Sequence, residues 1–212
     1  IERRDPRGDF IVMQGGRASG RAIQANKEMK LLRQFQTKWL GVLHECVRHP
    51  VFERGFLGKC GVDPSKMMSV IGAREWSTVR DLDLGSYVYG ADKHDVTPLL
   101  LSEPIRMWTR HLRNMTGPMA VEAFQCPELR RWRSIEITAP SVHALSRAYQ
   151  ACTPANMPAL RTLQITSTFD VESVDRLLRG AVTPQLDDLS LIEEPSDGPI
   201  RAMTTIAELF RE

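Results

Sequence analysis

Four segments of the chain share one order of apolar and polar positions, apolar-x-x-apolar-x-apolar. They are Val79-Arg80-Asp81-Leu82-Asp83-Leu84, Trp132-Arg133-Ser134-Ile135-Glu136-Ile137, Leu160-Arg161-Thr162-Leu163-Gln164-Ile165 and Leu186-Asp187-Asp188-Leu189-Ser190-Leu191. The last three begin at residues 132, 160 and 186, steps of 28 and 26, and the first lies 53 residues earlier, about two such steps. The second half of each segment alternates, which is the period of a strand with its apolar side chains on one face. Between the segments lie helical patterns. Val142, Leu145 and Tyr149 mark one, and Val171, Val174, Leu177 and Leu178 another, with Asp170 as a candidate N-cap and Gly180 as a stop signal. One strand and one helix per step predict an α/β stack on a parallel sheet. The expected strands are 79–84, 133–137, 161–165 and 187–191, with one intervening strand near 119–123 built around Met119-Ala120-Val121.

The N-terminal third has a different pattern. From Arg21 to about Val47, Ile23, Met29, Leu32, Phe35, Trp39, Val42, Leu43 and Val47 recur at three- and four-residue steps, which predicts one amphipathic helix. His49-Pro50 is its expected end, and FLGKCGVDPSK after it reads as a loop-rich connection. Before it, FIVMQGGRASGRA resembles a phosphate-binding loop. Gly15 and Gly20 have the spacing of G-x-x-x-x-G-K-[ST], yet Arg21 stands in the lysine position and Ala22 in the position of the magnesium-binding hydroxyl. Alanine cannot ligate a cation, so residues 1–20 read as a flexible basic lead-in. The expected organisation is then lead-in 1–20, helical segment 21–74 and α/β domain 75–212.

Charge sharpens this division. Residues 1–60 carry 12 Lys and Arg against 6 Asp and Glu, whereas residues 61–212 carry 16 against 20. A basic head on an acidic body suits nucleic acid or an acidic surface, and it is also what a solvated helix face looks like. No apolar run reaches the roughly 18 residues that span a bilayer, and the opening IERRDPRGDF is not signal-like. The four cysteines, Cys46, Cys60, Cys126 and Cys152, form no C-x-x-C pair, so reduced thiols and a cytoplasmic or nuclear location are expected. His44, Cys46 and His49 do not have the spacing of a closed metal site. Cys60 with His94 as base is the best nucleophile candidate, but neither residue has a signature around it. The reading is therefore non-enzymatic, with no metal and no cofactor.

The L-x-x-L-x-L core at this period is similar to the strand signature of leucine-rich repeats. Further stretches narrow the likeness: Trp76-Ser77-Thr78-Val79, Met107-Trp108-Thr109-Arg110 leading to Gly117-Pro118-Met119, Arg131-Trp132-Arg133-Ser134-Ile135-Glu136-Ile137, and Met157-Pro158-Ala159-Leu160-Arg161-Thr162-Leu163. Together, over about residues 75–191, they resemble the degenerate leucine-rich-repeat region of fungal F-box-like proteins. The resemblance implies a short irregular solenoid with a parallel sheet, acting as the target-recognition half of a ubiquitin-ligase adaptor. The family's Leu-Pro-led helical F-box is not recognisable in residues 1–74. Ubiquitin-ligase subunits are expected partners only with an F-box upstream.

On such a stack, the residues between inward leucines face outward and line up laterally. One expected row is Asp83, Glu136, Gln164 and Ser190, and a second is Asp81, Ser134, Thr162 and Asp188. The rows are polar to acidic, so the expected partner is a protein with a basic or polar recognition segment, and phosphate-rich nucleic acid fits poorly. The alternative reading is a nucleotide- or nucleic-acid-binding protein that uses Gly15 to Arg21 and the basic helix.

Overall fold

The computed structural model describes residues 5–19, 25–85, 96–126, 131–138, 142–167, 169 and 171–193. It is an α/β fold on one open sheet of seven strands, arranged in chain order from β1 to β7. Strands β1 (Val47–Glu53) and β2 (Phe56–Val62) form an antiparallel hairpin. Its two-residue turn has Arg54 at φ 49° and Gly55 at φ 79°, the doubly left-handed conformation that suits a hairpin's twist. Every later pairing is parallel, through β3 (Asp81–Asp83), β4 (His111–Thr116), β5 (Ser134–Thr138), β6 (Thr162–Ser167) and β7 (Asp188–Glu193).

Parallel strands need a return path, and here helical segments supply it. Helices α3 (Thr97–Leu101) and α4 (Glu103–Trp108) precede β4. Helix α5 (Gly117–Gln125) joins β4 to β5, α6 (Val142–Ala151) joins β5 to β6, and α7 (Val171–Leu178) joins β6 to β7. Pro98, Pro104 and Pro118 sit in the first turns of α3, α4 and α5, where a missing N–H costs nothing.

The core is a set of lateral columns. Leu82, Leu112, Ile135 and Leu163 pair in register across β3 to β6, and all four are buried. Beside them Met115, Ile137 and Ile165 form a second buried column. A third precedes the strands, with Val79, Thr109, Trp132 and Leu160 buried. Leu189 on β7 was expected to be buried as well but is only partly covered, because β7 is an end strand of the sheet. Truncating a fully buried member such as Leu163 to alanine should cost about 2–5 kcal/mol.

The intervening strand is β4, at 111–116, and not the 119–123 segment. Met119, Ala120 and Val121 belong to α5. Two departures hid β4 from the repeat pattern. Thr109 takes the leucine position of the third column, buried with its hydroxyl donating to the Val79 carbonyl at 3.2 Å. An extra residue then bulges the strand between Leu112 and Met115, with Asn114 at φ 57°.

The N-terminal third also differs from expectation. Pro6–Ala18 is helix α1, capped by Asp5, whose carboxylate accepts from the Arg7 N–H at 2.9 Å. This segment is anchored rather than a flexible lead-in. Phe10 is buried, 5.0 Å from the Trp39 ring and 6.4 Å from Phe52. The Gln14 amide donates to the Phe52 carbonyl at 2.6 Å and accepts from the Gly55 N–H at 2.9 Å. Helix α2 runs from Ala25 only to Leu40, where Gly41 at φ 57° breaks it into a 3₁₀ turn, Gly41–Glu45. Val47 therefore starts a strand, and His49-Pro50 falls in a bulge of β1 rather than after a helix. The loop-rich FLGKCG stretch is β2. Since β2 pairs with β3, and one apolar core runs from Phe10 to Val182, the described residues of segments 21–74 and 75–212 share a sheet and a core.

Candidate functional site: the polar face of the sheet

Sheets made of parallel strands are ordinarily covered on both faces, so their strands read as continuous apolar runs. Strands β3, β5 and β6 alternate instead. Their other side chains are polar and only half-buried, and register pairs them into rows. The first row is Lys59, Asp81, His111, Ser134, Thr162 and Asp188. The second runs Gly61, Asp83, Arg113, then Glu136, Gln164 and Ser190, with the β4 bulge setting both Arg113 and Asn114 opposite Glu136. All eight residues expected from the sequence thus lie on one face in two adjacent rows. A third row, Thr116, Thr138, Thr166 and Ile192, extends it.

The electrostatics are less simply acidic than the sequence suggested. Arg113 grips Asp81 with two donors, Nε to Oδ1 at 3.1 Å and Nη2 to Oδ2 at 2.8 Å, and Lys59 Nζ lies 3.6 Å from the same carboxylate. Asp83 accepts from Asn114 Nδ2 at 2.7 Å and from the Gly85 N–H at 2.8 Å. These partners use up the acids of β3. Glu136 makes no hydrogen bond or ion pair with a described residue. Burial on the sheet pushes its carboxyl above the ordinary value; Arg113 and Lys59 oppose this, while Asp83 and Asp81 add to it. Asp188, at the end of the first row, is exposed. The anionic charge left to meet a partner is therefore at Glu136 and Asp188. Lys59, His111, Arg113 and Asn114 were missed: the first lay in a stretch read as loop, and the others in the strand hidden by Thr109 and the bulge.

A second regularity was also missed. Arg80, Arg110, Arg133 and Arg161 each follow the buried residue that opens a strand pattern, Val79, Thr109, Trp132 and Leu160, and backbone bonds stack them. The N–H of Arg110 donates to the Arg80 carbonyl at 2.9 Å, Arg133 to Arg110 at 2.8 Å and Arg161 to Arg133 at 2.9 Å. Two guanidinium groups turn back onto carbonyls of their own preceding turn, Arg110 onto Met107 and Thr109 and Arg161 onto Pro158 and Leu160, whereas Arg80 reaches forward to the Trp108 carbonyl one repeat on, with the Trp108 ring 5.0 Å away. No described carboxylate pairs with the four. Burial and then the charges of Arg131, Arg80 and Arg133 weaken the hold of Arg110 on its proton. In the sequence, this arginine precedes each outward position of the first row: Asp81, His111, Ser134 and Thr162.

Other sequence candidates resolve separately. Cys60 is buried on β2, and burial, with Cys46, Asp81 and Asp83 adding to it, raises its thiol far above the ordinary range, against thiolate formation. His94 lies outside the described residues, as do Asp170, Gly20 and Arg21. Gly15 and Gly16 are inside α1, so the described part of that segment does not wrap a phosphate. Among the described residues no cluster of metal ligands occurs, and no helix is long and apolar enough to cross a membrane. None of the four cysteines is in a disulfide.

Comparison with known proteins yields no family model that matches the chain, and neither a curated protein nor a solved structure matches it. The class defined here is an α/β protein with a mostly parallel seven-stranded sheet.

Proposed function

We propose that the chain is a non-enzymatic protein-interaction module of leucine-rich-repeat type, and that the polar sheet face is its recognition surface. The observation that carries this reading is the lateral register of the two rows. A parallel sheet that keeps one face polar, with Asp81, Ser134, Thr162 and Asp188 beside Asp83, Glu136, Gln164 and Ser190, carries on that face no covering layer among the described residues, unlike such sheets ordinarily. An extended segment laid across the strands would meet a row of side chains about 4.8 Å apart. Glu136 and Asp188 supply the charge that selects a basic or hydroxyl-rich segment; Lys59, His111 and Arg113 select against a uniformly basic one.

The resemblance of residues 75–191 takes the reading one step further, to the target-recognition half of an F-box-type ubiquitin-ligase adaptor. Copurification of ligase subunits with the full-length protein tests that step separately. For the recognition face itself, the test is a peptide-display selection against the wild-type chain. Enriched sequences should carry Lys or Arg and should lose binding to Glu136→Lys and Asp188→Lys, with thermal midpoints matched. Selection of the same sequences by all three chains would refute the face. The alternative, nucleotide or nucleic-acid binding through Gly15 to Arg21 and the basic helix, is tested by a nucleotide titration of wild type against Arg21→Ala.

A further inference from the structure

Away from the polar face, helix α1, the end of α2, the β1–β2 turn and the 3₁₀ turn Arg74–Thr78 border an open cavity of about 390 Å³. Arg7, Lys38 and Arg74 line it, and among its lining residues only Glu75 is acidic, leaving a net charge of +2. We infer that this cavity is a binding site for a small organic oxyanion, a carboxylate or phosphate monoester carrying a flat apolar group.

The walls are built rather than accidental. The Arg7 guanidinium carbon lies 5.8 Å from the Trp39 ring centroid and 5.7 Å from that of Phe56, so two aromatic faces hold the cation in place. Gly55, at φ 79°, has no room for a side chain, because a Cβ there would run into Ile11 and lie 3.2 Å from Arg7 Cγ. Gly41, at φ 57°, lets the Glu75 carboxylate pack against the backbone, where a Cβ would come within 2.8 Å of Oε1. That carboxylate makes no ion pair with the cations of the cavity.

Cations outnumber carboxylates in the lining, Arg7, Lys38 and Arg74 against Glu75. Trp39 is 7% exposed, and its indole N–H has no hydrogen-bond partner; Arg7 Nε is likewise buried and unpartnered. Buried donors in this state are uncommon, and an acceptor in the cavity reaches them only if the Arg7 and Trp39 side chains shift. Indole, guanidinium and ammonium groups are all donors without acceptor capacity, so the complementary group is one rich in acceptor oxygens. No described carboxylate satisfies Arg7, Lys38 or Arg74. The apolar half of the ligand follows from Phe56, a large side chain left 47% exposed at this cavity. The volume suits a ligand of one ring and one charged group, at the small end of ordinary binding pockets.

Titration calorimetry and tryptophan fluorescence with four probes test the site: benzoate, phenyl phosphate, inorganic phosphate and benzyl alcohol. Saturable binding is expected for benzoate or phenyl phosphate, and whichever is tighter identifies the oxyanion. Inorganic phosphate should bind more weakly than phenyl phosphate, and benzyl alcohol should not bind. Lys38 and Arg74 are exposed, so the double variant Lys38→Gln/Arg74→Gln should fold as wild type and bind about tenfold more weakly. The inference is overturned by the absence of saturable binding for both aryl anions, by inorganic phosphate binding as tightly as phenyl phosphate, by benzyl alcohol binding as tightly as the anions, or by unchanged affinity in the double variant.

Discussion

Arg113 and Asp81, on neighbouring strands β4 and β3 but offset by two residues in register, meet through two hydrogen bonds of 3.1 and 2.8 Å. Asp81 stands opposite His111, so Arg113 reaches diagonally back to it, drawing β4 charge toward the β2–β3 side of the face. This leaves Glu136, on the other side of β4, without an ion pair among the described residues. The pair thereby divides the face into a neutralised half and an anionic half.

A double-mutant cycle on Arg113→Ala and Asp81→Asn should return a coupling of about 1 kcal/mol, since both side chains are only partly shielded from water. Chemical denaturation of the four chains measures it. Additive effects would mean that the two groups do not hold one another in solution.

Glu136 should make stability fall as pH rises. Its carboxyl is raised above the ordinary value near 4.5 in the folded chain, so the folded state binds the proton more tightly than the unfolded one. The resulting contribution is complete below the unfolded value and is lost as pH rises through the folded one. Glu136→Gln should therefore match or exceed wild type at neutral pH in urea melts, and the difference should change in favour of wild type on acidification.

Asp63 should act in the opposite sense. Hydrogen bonds from Arg48 and then Ser65 hold its carboxyl down at about 2. Its contribution is present above the unfolded value and is lost as pH falls through the folded one. Asp63→Asn should be less stable than wild type at neutral pH, with the two denaturation curves converging toward pH 2. A difference that persisted there would assign the effect to packing instead.

Thr109→Val should destabilise by about 1 kcal/mol even though it restores an apolar residue to a buried column, because it deletes the hydroxyl donor to the Val79 carbonyl. A more stable valine variant in thermal melts would show that the hydrogen bond contributes nothing net.

Strands that keep strict alternation with leucine at the first apolar position were legible. Segments 160–165 and 186–191 correspond to β6 and β7, and the eight polar positions between their leucines and those of β3 and β5 fall in the expected rows. The parts that were not legible each involve a residue whose role depends on a distant partner. Thr109 reads as polar surface until the Val79 carbonyl is placed beside it. Asn114 breaks the period because a bulge adds one residue to β4. Val47 and the FLGKCG stretch continue a helix-like or loop-like composition, yet pairing with each other and with β3 makes them strands, as tertiary context overrides local preference. Gly15 and Gly16 look like breakers, but Phe10 and Gln14 fasten α1 to the hairpin on either side of the helix's midpoint. The cavity around Arg7 has no sequence signature at all, since its walls come from four separate stretches.

The recognition face is tested most directly by the affinity of one display-selected basic peptide for three chains at fixed salt: wild type, Glu136→Lys and Glu45→Lys. The last makes the same charge change on an exposed side chain outside the sheet. The account expects Glu136→Lys to bind about tenfold more weakly than wild type and Glu45→Lys to bind as wild type does. Equal affinities across all three chains would contradict it.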